Sequence, residues 1–213
     1  MIKDYNLDYP DFYTRLYAFV DRNVLHVKYR ARFFRLMDLF LSSTHLPVQL
    51  VASFVKRLSR LSLSAPPAAL IMLMPFVYNL IKRHPSLMVM IHQDHVDNYV
   101  DPFDPKEASP LLTNAIASSL WELASFQHHY SETIATLARL FSNPFTKPPF
   151  LMEDFLDHTY TTLFETEAKR TFKKDPAMTF ELKRDQLFPE GSSKDMNGLT
   201  LPDDAVSELW VFG

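Results

Sequence analysis

The chain has 213 residues, of which 47% are hydrophobic and 22% charged, with a formal net charge of −3 and no cysteine. This composition can fill a core, and the lack of cysteine excludes disulfide frameworks and cysteine-based zinc sites. The three glycines, Gly191, Gly198 and Gly213, lie near the C-terminus. P-loops, dinucleotide fingerprints and nucleophile elbows all require glycine, so none can be built before Gly191.

In chain order, apolar residues recur at helical spacing and prolines or serines mark the helix starts. The predicted helices cover residues 10–20, 24–42, 47–62, 66–83, 85–92, 110–128, 132–141 and 149–172. No alternating strand pattern occurs before residue 177. We therefore predict an all-α fold. It would be a HEAT-like stack of antiparallel helix pairs (an α-solenoid) over 1–174, followed by an irregular tail, 175–213, with apolar anchors.

The predicted helix 66–83 is apolar on almost every side. Its uninterrupted apolar run is too short to span a bilayer easily, and Pro75 and Asn79 interrupt the remainder of the helix. We predict a central helix that is flanked by others and kinked at Pro75, with no membrane span.

The charges are unevenly distributed. From Arg22 to His84 there are ten lysines and arginines against one acidic residue, Asp38, and from Pro85 onward there are ten against twenty. Such asymmetry predicts a charged partner surface. The alternative is that the two halves attract each other within the fold.

Basic side chains recur at helical spacing on two consecutive predicted helices. On helix 24–42 they stand opposite an apolar stripe predicted to face the core: Leu25, Tyr29, Phe33, Leu36, Met37 and Phe40. The predicted basic patch consists of Lys28, Arg32, Arg35, Lys56, Arg57 and Arg60. Such a patch can neutralise RNA phosphates or receive an acidic peptide. The alternative is ordinary solubilising charge, because Lys and Arg stems also cover apolar surface.

Other polar clusters carry weaker signals. His92, Asp94, His95 and Asp97 could ligate a metal, as could the pair 128–129, but the spacing matches no established metal motif. We therefore predict an exposed, acidic loop over residues 92–109, with no metal or cofactor site. Carboxylates at 153, 154 and 157 are typical of a solvated helix face. We predict that the protein is not an enzyme and has no small-molecule substrate.

The segments "HVKYRARFF", "LSSTHLP", "KRLSRLS" and "NLIKRHP" give the chain a family resemblance. Residues 11–85 closely resemble the CCAAT-binding-factor and nucleolar-complex-associated family, and "DPFDP" and "LWEL" extend the similarity more loosely. The resemblance implies a HEAT-like fold and a C-terminal fragment of a longer protein.

The same resemblance implies a non-enzymatic assembly factor of the nucleus and nucleolus. Its place would be the early small-subunit precursor particle, the small-subunit processome, in pre-rRNA processing and 40S biogenesis. The implied partner is nucleolar protein 14, with direct RNA contact as a further expectation. The alternative is a general helical adaptor that binds peptide cargo, as transport receptors do.

Overall fold

A computed structural model describes residues 11–92 and 100–171. These ranges contain helices and 3₁₀ turns and no strand, which confirms the all-α prediction. The α-helices are α1 (Phe12–Phe19), α2 (Arg30–Phe40), α3 (Val48–Ser62), α4 (Pro67–Arg83), α5 (Trp121–Ser125), α6 (Glu132–Arg139), α7 (Glu153–Leu156) and α8 (Tyr160–Lys169). The 3₁₀ turns are Arg22–Leu25, Pro85–Met90, Ala115–Ala117 and Phe126–His128.

Helix α4 is the centre of the core. Every residue from Ala68 to Ile81 is buried, and the helix packs against α3, α6 and α7. Pro75 lies inside the helix, which continues past it to Arg83. A helix surrounded by others can be apolar on all sides, which confirms the prediction of a central buried helix. Within the described residues, no helix combines the length and the apolar character needed to cross a membrane.

Two polar side chains of α4 hold the segment that precedes α7. Asn79 Nδ2 donates to the carbonyl of Phe150, and Phe150 N–H donates back to Asn79 Oδ1, both at 2.8 Å. The Tyr78 ring stacks on Phe145 with centroids 4.5 Å apart. The buried amide thus satisfies its hydrogen bonds and fixes an irregular segment against the core.

Helix α2 starts later than predicted, and its buried face differs. Asp21 accepts a hydrogen bond from Val24 N–H and caps a separate 3₁₀ turn, so the apolar spacing that starts at Leu25 does not continue into α2. Phe34 and Met37 are buried, whereas Phe33 and Phe40 are only half-buried. The predicted stripe was wrong for these two phenylalanines, and more so for Tyr29 and Leu36, which are 63% and 43% exposed, because the helix is interrupted.

The predicted helices 110–128 and 149–172 are broken into shorter elements. Asn114 has a left-handed backbone (φ 55°), and Leu120 N–H donates to Met90 O at 2.9 Å rather than to its own helix. In the second segment Thr159, just before α8, and Thr162, in its first turn, exchange hydrogen bonds and mark a new helix start. Local side-chain hydrogen bonds of this kind compete with a continuous helix.

The contacts divide the chain into two units. The first is Met1–Ala168 and contains almost all of the described structure. The second is Lys169–Gly213, of which only the first three residues are described. The predicted boundary between 174 and 175 and the apolar anchors of the tail lie outside the described residues.

Candidate docking surface

Lys56 is fully buried, so the prediction that it lies on an exposed basic patch was wrong. Its Nζ donates to Ser119 O and to Glu122 Oε1, both at 2.7 Å, and lies 3.0 Å from Asp101 Oδ2. An ammonium group has three N–H donors, and three oxygens surround this one. The cation therefore ties α3 to the segment between residues 101 and 122.

The two carboxylates of this network, Glu122 and Asp101, have pKa values shifted in opposite directions. Burial raises the pKa of Glu122 above its ordinary value, although the hydrogen bond from Lys56 opposes the shift. Burial also acts to raise the pKa of Asp101, but hydrogen bonds from Ser118 and Lys56 outweigh it and hold that pKa below its ordinary value. These side chains form an internal polar network rather than a binding surface.

Arg57 and Arg60 are partly covered by aromatic rings. Arg57 Nε donates to Val20 O at 2.7 Å, and its guanidinium carbon lies 4.3 Å from the centroid of the Tyr17 ring. Arg60 Nε lies 3.7 Å from Glu122 Oε1, and its guanidinium faces Trp121 at 5.6 Å. Both arginines thus have structural contacts within the fold, of the cation–π type.

Arg35 is exposed but already paired. Its Nε and Nη2 donate to the two carboxylate oxygens of Glu153 at 2.7 and 2.5 Å. These hydrogen bonds lower the pKa of Glu153. The pair connects α2 to α7 at the surface. Arg35, Lys56 and Arg60 thus follow the alternative expectation. Each pairs with a carboxylate of the acidic half within the fold.

Lys28 and Arg32 are the remaining members of the predicted basic patch. Both are exposed, and neither forms an ion pair or a hydrogen bond with the described part of the chain. The six predicted residues therefore do not form one continuous surface. The structure leaves Lys28 and Arg32 available, with Arg35 at their edge.

Two exposed leucines lie beside these cations, and sequence analysis missed their role. Leu36 and Leu39 are 43% and 45% exposed. Arg32, Leu36 and Leu39 follow the spacing i, i+4, i+7, so they share one side of α2, and Lys28 lies in the turn just before the helix. We call these four residues the α2 stripe. The missed signal was the interruption before Arg30, which turns Leu36 away from the core.

The predicted exposed loop is partly buried. Phe103 is buried in the core, and Asp101 belongs to the Lys56 network. Asp94, His95 and Asp97 lie outside the described residues. Among the residues that the structure does describe, no group of three or more potential metal ligands is placed to share an ion.

The described residues thus form an all-α domain in which several cations of the basic half are held by internal ion pairs or hydrogen bonds, and a face of α2 is both basic and apolar. The chain belongs to the CBF/Mak21 family, whose model matches residues 1–138.

Relatives of the chain include nucleolar complex protein 4 of Saccharomyces cerevisiae, to which it is 50% identical over 199 residues. That match covers 85% of this chain and 36% of the yeast protein. An uncharacterised protein of Schizosaccharomyces pombe is 54% identical over 177 residues, covering 83% of this chain and 36% of that protein.

The human nucleolar complex protein 4 homolog is 47% identical over 171 residues, covering 80% of this chain and 33% of the human protein. The chain therefore spans about a third of the length of these relatives.

Proposed function

We propose that the chain is part of a non-enzymatic ribosome assembly factor of the nucleolus. It would act as a helical protein-binding scaffold in the early small-subunit precursor particle, during pre-rRNA processing. Family membership and the names of the relatives support a nucleolar role in ribosome biogenesis. Nucleolar protein 14, the partner that the family resemblance implies, is the partner in this proposal.

In the same proposal the helices form a HEAT-like solenoid over residues 1–174. The packing of α3 on α4, which follow each other after a short loop, supports this arrangement. Stacked helix pairs expose long faces between loops, and such faces suit the binding of extended partners.

The observation that carries the proposal is the α2 stripe. Most cations of the basic half are held by internal contacts, but Lys28 and Arg32 have none in the described part of the chain. They lie next to Leu36 and Leu39, which the fold leaves exposed. Exposed leucines next to uncompensated cations are typical of a docking surface.

The experiment compares two double charge reversals in the protein as it occurs in cells. Lys28→Glu/Arg32→Glu changes the α2 stripe, and Lys106→Glu/Arg139→Glu makes the same charge change at exposed positions elsewhere. Fluorescence gives the location, and gradient sedimentation gives the association with large RNA-containing particles.

The parent and the control pair should be nucleolar and should sediment with the particles, whereas Lys28→Glu/Arg32→Glu should shift toward the top of the gradient. A parent protein found only with soluble cargo would contradict the proposal and favour the transport-like adaptor. If the parent sediments with the particles and Lys28→Glu/Arg32→Glu sediments in the same way, the α2 stripe is not the docking surface, although the assembly role stands.

A further inference from the structure

The α2 stripe combines two kinds of side chain that serve different ligands. Arg32, Leu36 and Leu39 follow one another at i, i+4 and i+7 along two turns of α2, about 10 Å of helix. RNA phosphates need cations, and single-stranded bases stack on aromatic rings such as that of Tyr29, which is 63% exposed beside Lys28, but neither contact requires an exposed leucine. Leucines that follow cations along one helix face match a ligand that is both apolar and acidic.

Neighbouring elements define the two edges of the stripe. On one side Arg35 binds Glu153 of α7. On the other side Phe40 packs edge-on against Phe12 of α1 with ring centroids 5.0 Å apart. Helical geometry places Arg32, Leu36 and Leu39 between Arg35 and Phe40 around α2. The exposed strip is therefore narrow and runs along the helix axis, which suits another helix packed against it.

The described residues favour a helical ligand over an extended one. They contain no strand, so they offer no sheet edge to which an extended peptide could add. Helix binding relies on side chains that repeat every three or four residues, as the side chains of the stripe do.

The chain itself shows how carboxylates bind at this edge. Glu153 is a helix residue, and both of its oxygens accept hydrogen bonds from Arg35. Arg32 lies about one turn closer to the N-terminus of α2 than Arg35, and Lys28 lies in the turn that precedes the helix. A ligand with carboxylates at helical spacing would extend this pairing along the stripe.

We infer that the α2 stripe binds an acidic amphipathic helix of a protein partner. Carboxylates of that helix pair with Lys28 and Arg32, and its apolar residues cover Leu36 and Leu39. This inference rests on the proposed function and specifies the partner class for the same surface.

The first experiment places a photo-crosslinking amino acid at position 39 in the protein as it occurs in cells. After irradiation, the crosslinked segment is identified by mass spectrometry. We expect a polypeptide segment with Asp or Glu and apolar residues repeating every three or four positions. A crosslink to RNA, to a second copy of this chain, to a segment without that pattern, or to no macromolecule would overturn the inference.

The second experiment uses a synthetic peptide of the crosslinked sequence. Arg32→Glu should weaken its binding at least about tenfold, and reversing the facing carboxylate of the peptide to arginine should restore most of the loss. Leu36→Ala/Leu39→Ala should also weaken binding, whereas Leu111→Ala/Leu112→Ala, which changes two exposed leucines elsewhere, should not. Absence of rescue, or equal binding by both leucine variants, would overturn the inference.

Sedimentation and crosslinking distinguish a failure of the proposed function from a failure of the acidic-helix inference. If the parent sediments with pre-ribosomal particles but position 39 crosslinks to RNA, the proposed function stands and the acidic helix is wrong. If the parent never joins such particles, the proposed function fails whatever position 39 contacts.

Discussion

Lys56 Nζ and Glu122 Oε1 meet at 2.7 Å with both side chains fully buried. The lysine belongs to the basic half of the sequence and the glutamate to the acidic half. Their pairing, together with that of Arg35 and Glu153, shows that part of the charge asymmetry holds the fold together. Only the charges left over are available for a partner.

Lys56→Met should strongly destabilise the protein. It would leave Glu122 buried without its nearest cation, and removal of one partner from a buried ion pair costs about 3–5 kcal/mol. Urea unfolding of the purified chain, followed by circular dichroism, measures the free energy of unfolding. Lys106→Met, at an exposed position, is the matched control and should leave it nearly unchanged. If the two variants were equally stable, the buried pair would make no contribution to the free energy of unfolding.

The double variant Lys56→Met/Glu122→Leu should recover most of that loss. Well-packed apolar residues in place of a buried ion pair are often neutral or stabilising, by about 1–4 kcal/mol. Asp101, the remaining carboxylate, is partly exposed and can be solvated. The same urea measurement applies. A double variant as unstable as Lys56→Met alone would show that Glu122 has no energetic coupling to the lysine.

The cost of Lys56→Met should also depend on pH. The hydrogen bonds from Lys56 act to lower the pKa of both Glu122 and Asp101 in the folded protein. Without them both pKa values rise in the folded state and stay unchanged in the unfolded chain. The folded variant then binds protons more readily, and a state that binds more protons is favoured as pH falls.

The stability difference between parent and Lys56→Met should therefore be largest near neutral pH. This difference should shrink as pH falls toward 4.5 and 3.8, the ordinary pKa values of glutamate and aspartate side chains. Melting temperatures of both proteins across that range, with Lys106→Met alongside, provide the check. A difference that is constant with pH, or that grows in acid, would contradict the assigned network.

Two adjacent phenylalanines test the facing of α2. Phe34 is fully buried and meets Phe76 of α4 edge-on at 5.3 Å, whereas Phe33 is half-buried. Phe34→Ala should cost about 3–5 kcal/mol, because it leaves a cavity in the core, and Phe33→Ala clearly less. Thermal unfolding of both variants decides the order. A larger loss for Phe33→Ala would restore the facing that the sequence pattern predicted.

The sequence predicted the fold best where apolar spacing was long and uninterrupted. Helices α3 and α4 end where predicted, at Ser62 and Arg83. The burial of Lys56 could not be predicted, because its acidic partners lie more than forty residues away and meet it only through the tertiary fold. For the α2 stripe, the sequence predicted the cations but not the leucines. The exposure of Leu36 depends on the break between α2 and the preceding 3₁₀ turn, which Asp21 caps.

If the α2 stripe docks a helix of a protein partner, assembly depends on its leucines as well as on its cations. The most direct measurement of this dependence is retention on purified pre-ribosomal particles at about 0.15 M salt, near physiological ionic strength. The variants are Arg32→Ala, Leu36→Ala/Leu39→Ala and the control Leu111→Ala/Leu112→Ala. We predict that the amount of protein retained falls at least about tenfold for the first two variants and that the control is retained as well as the parent. Retention of Leu36→Ala/Leu39→Ala at the parental level, with loss confined to Arg32→Ala, would contradict helix docking and assign the surface to phosphate binding.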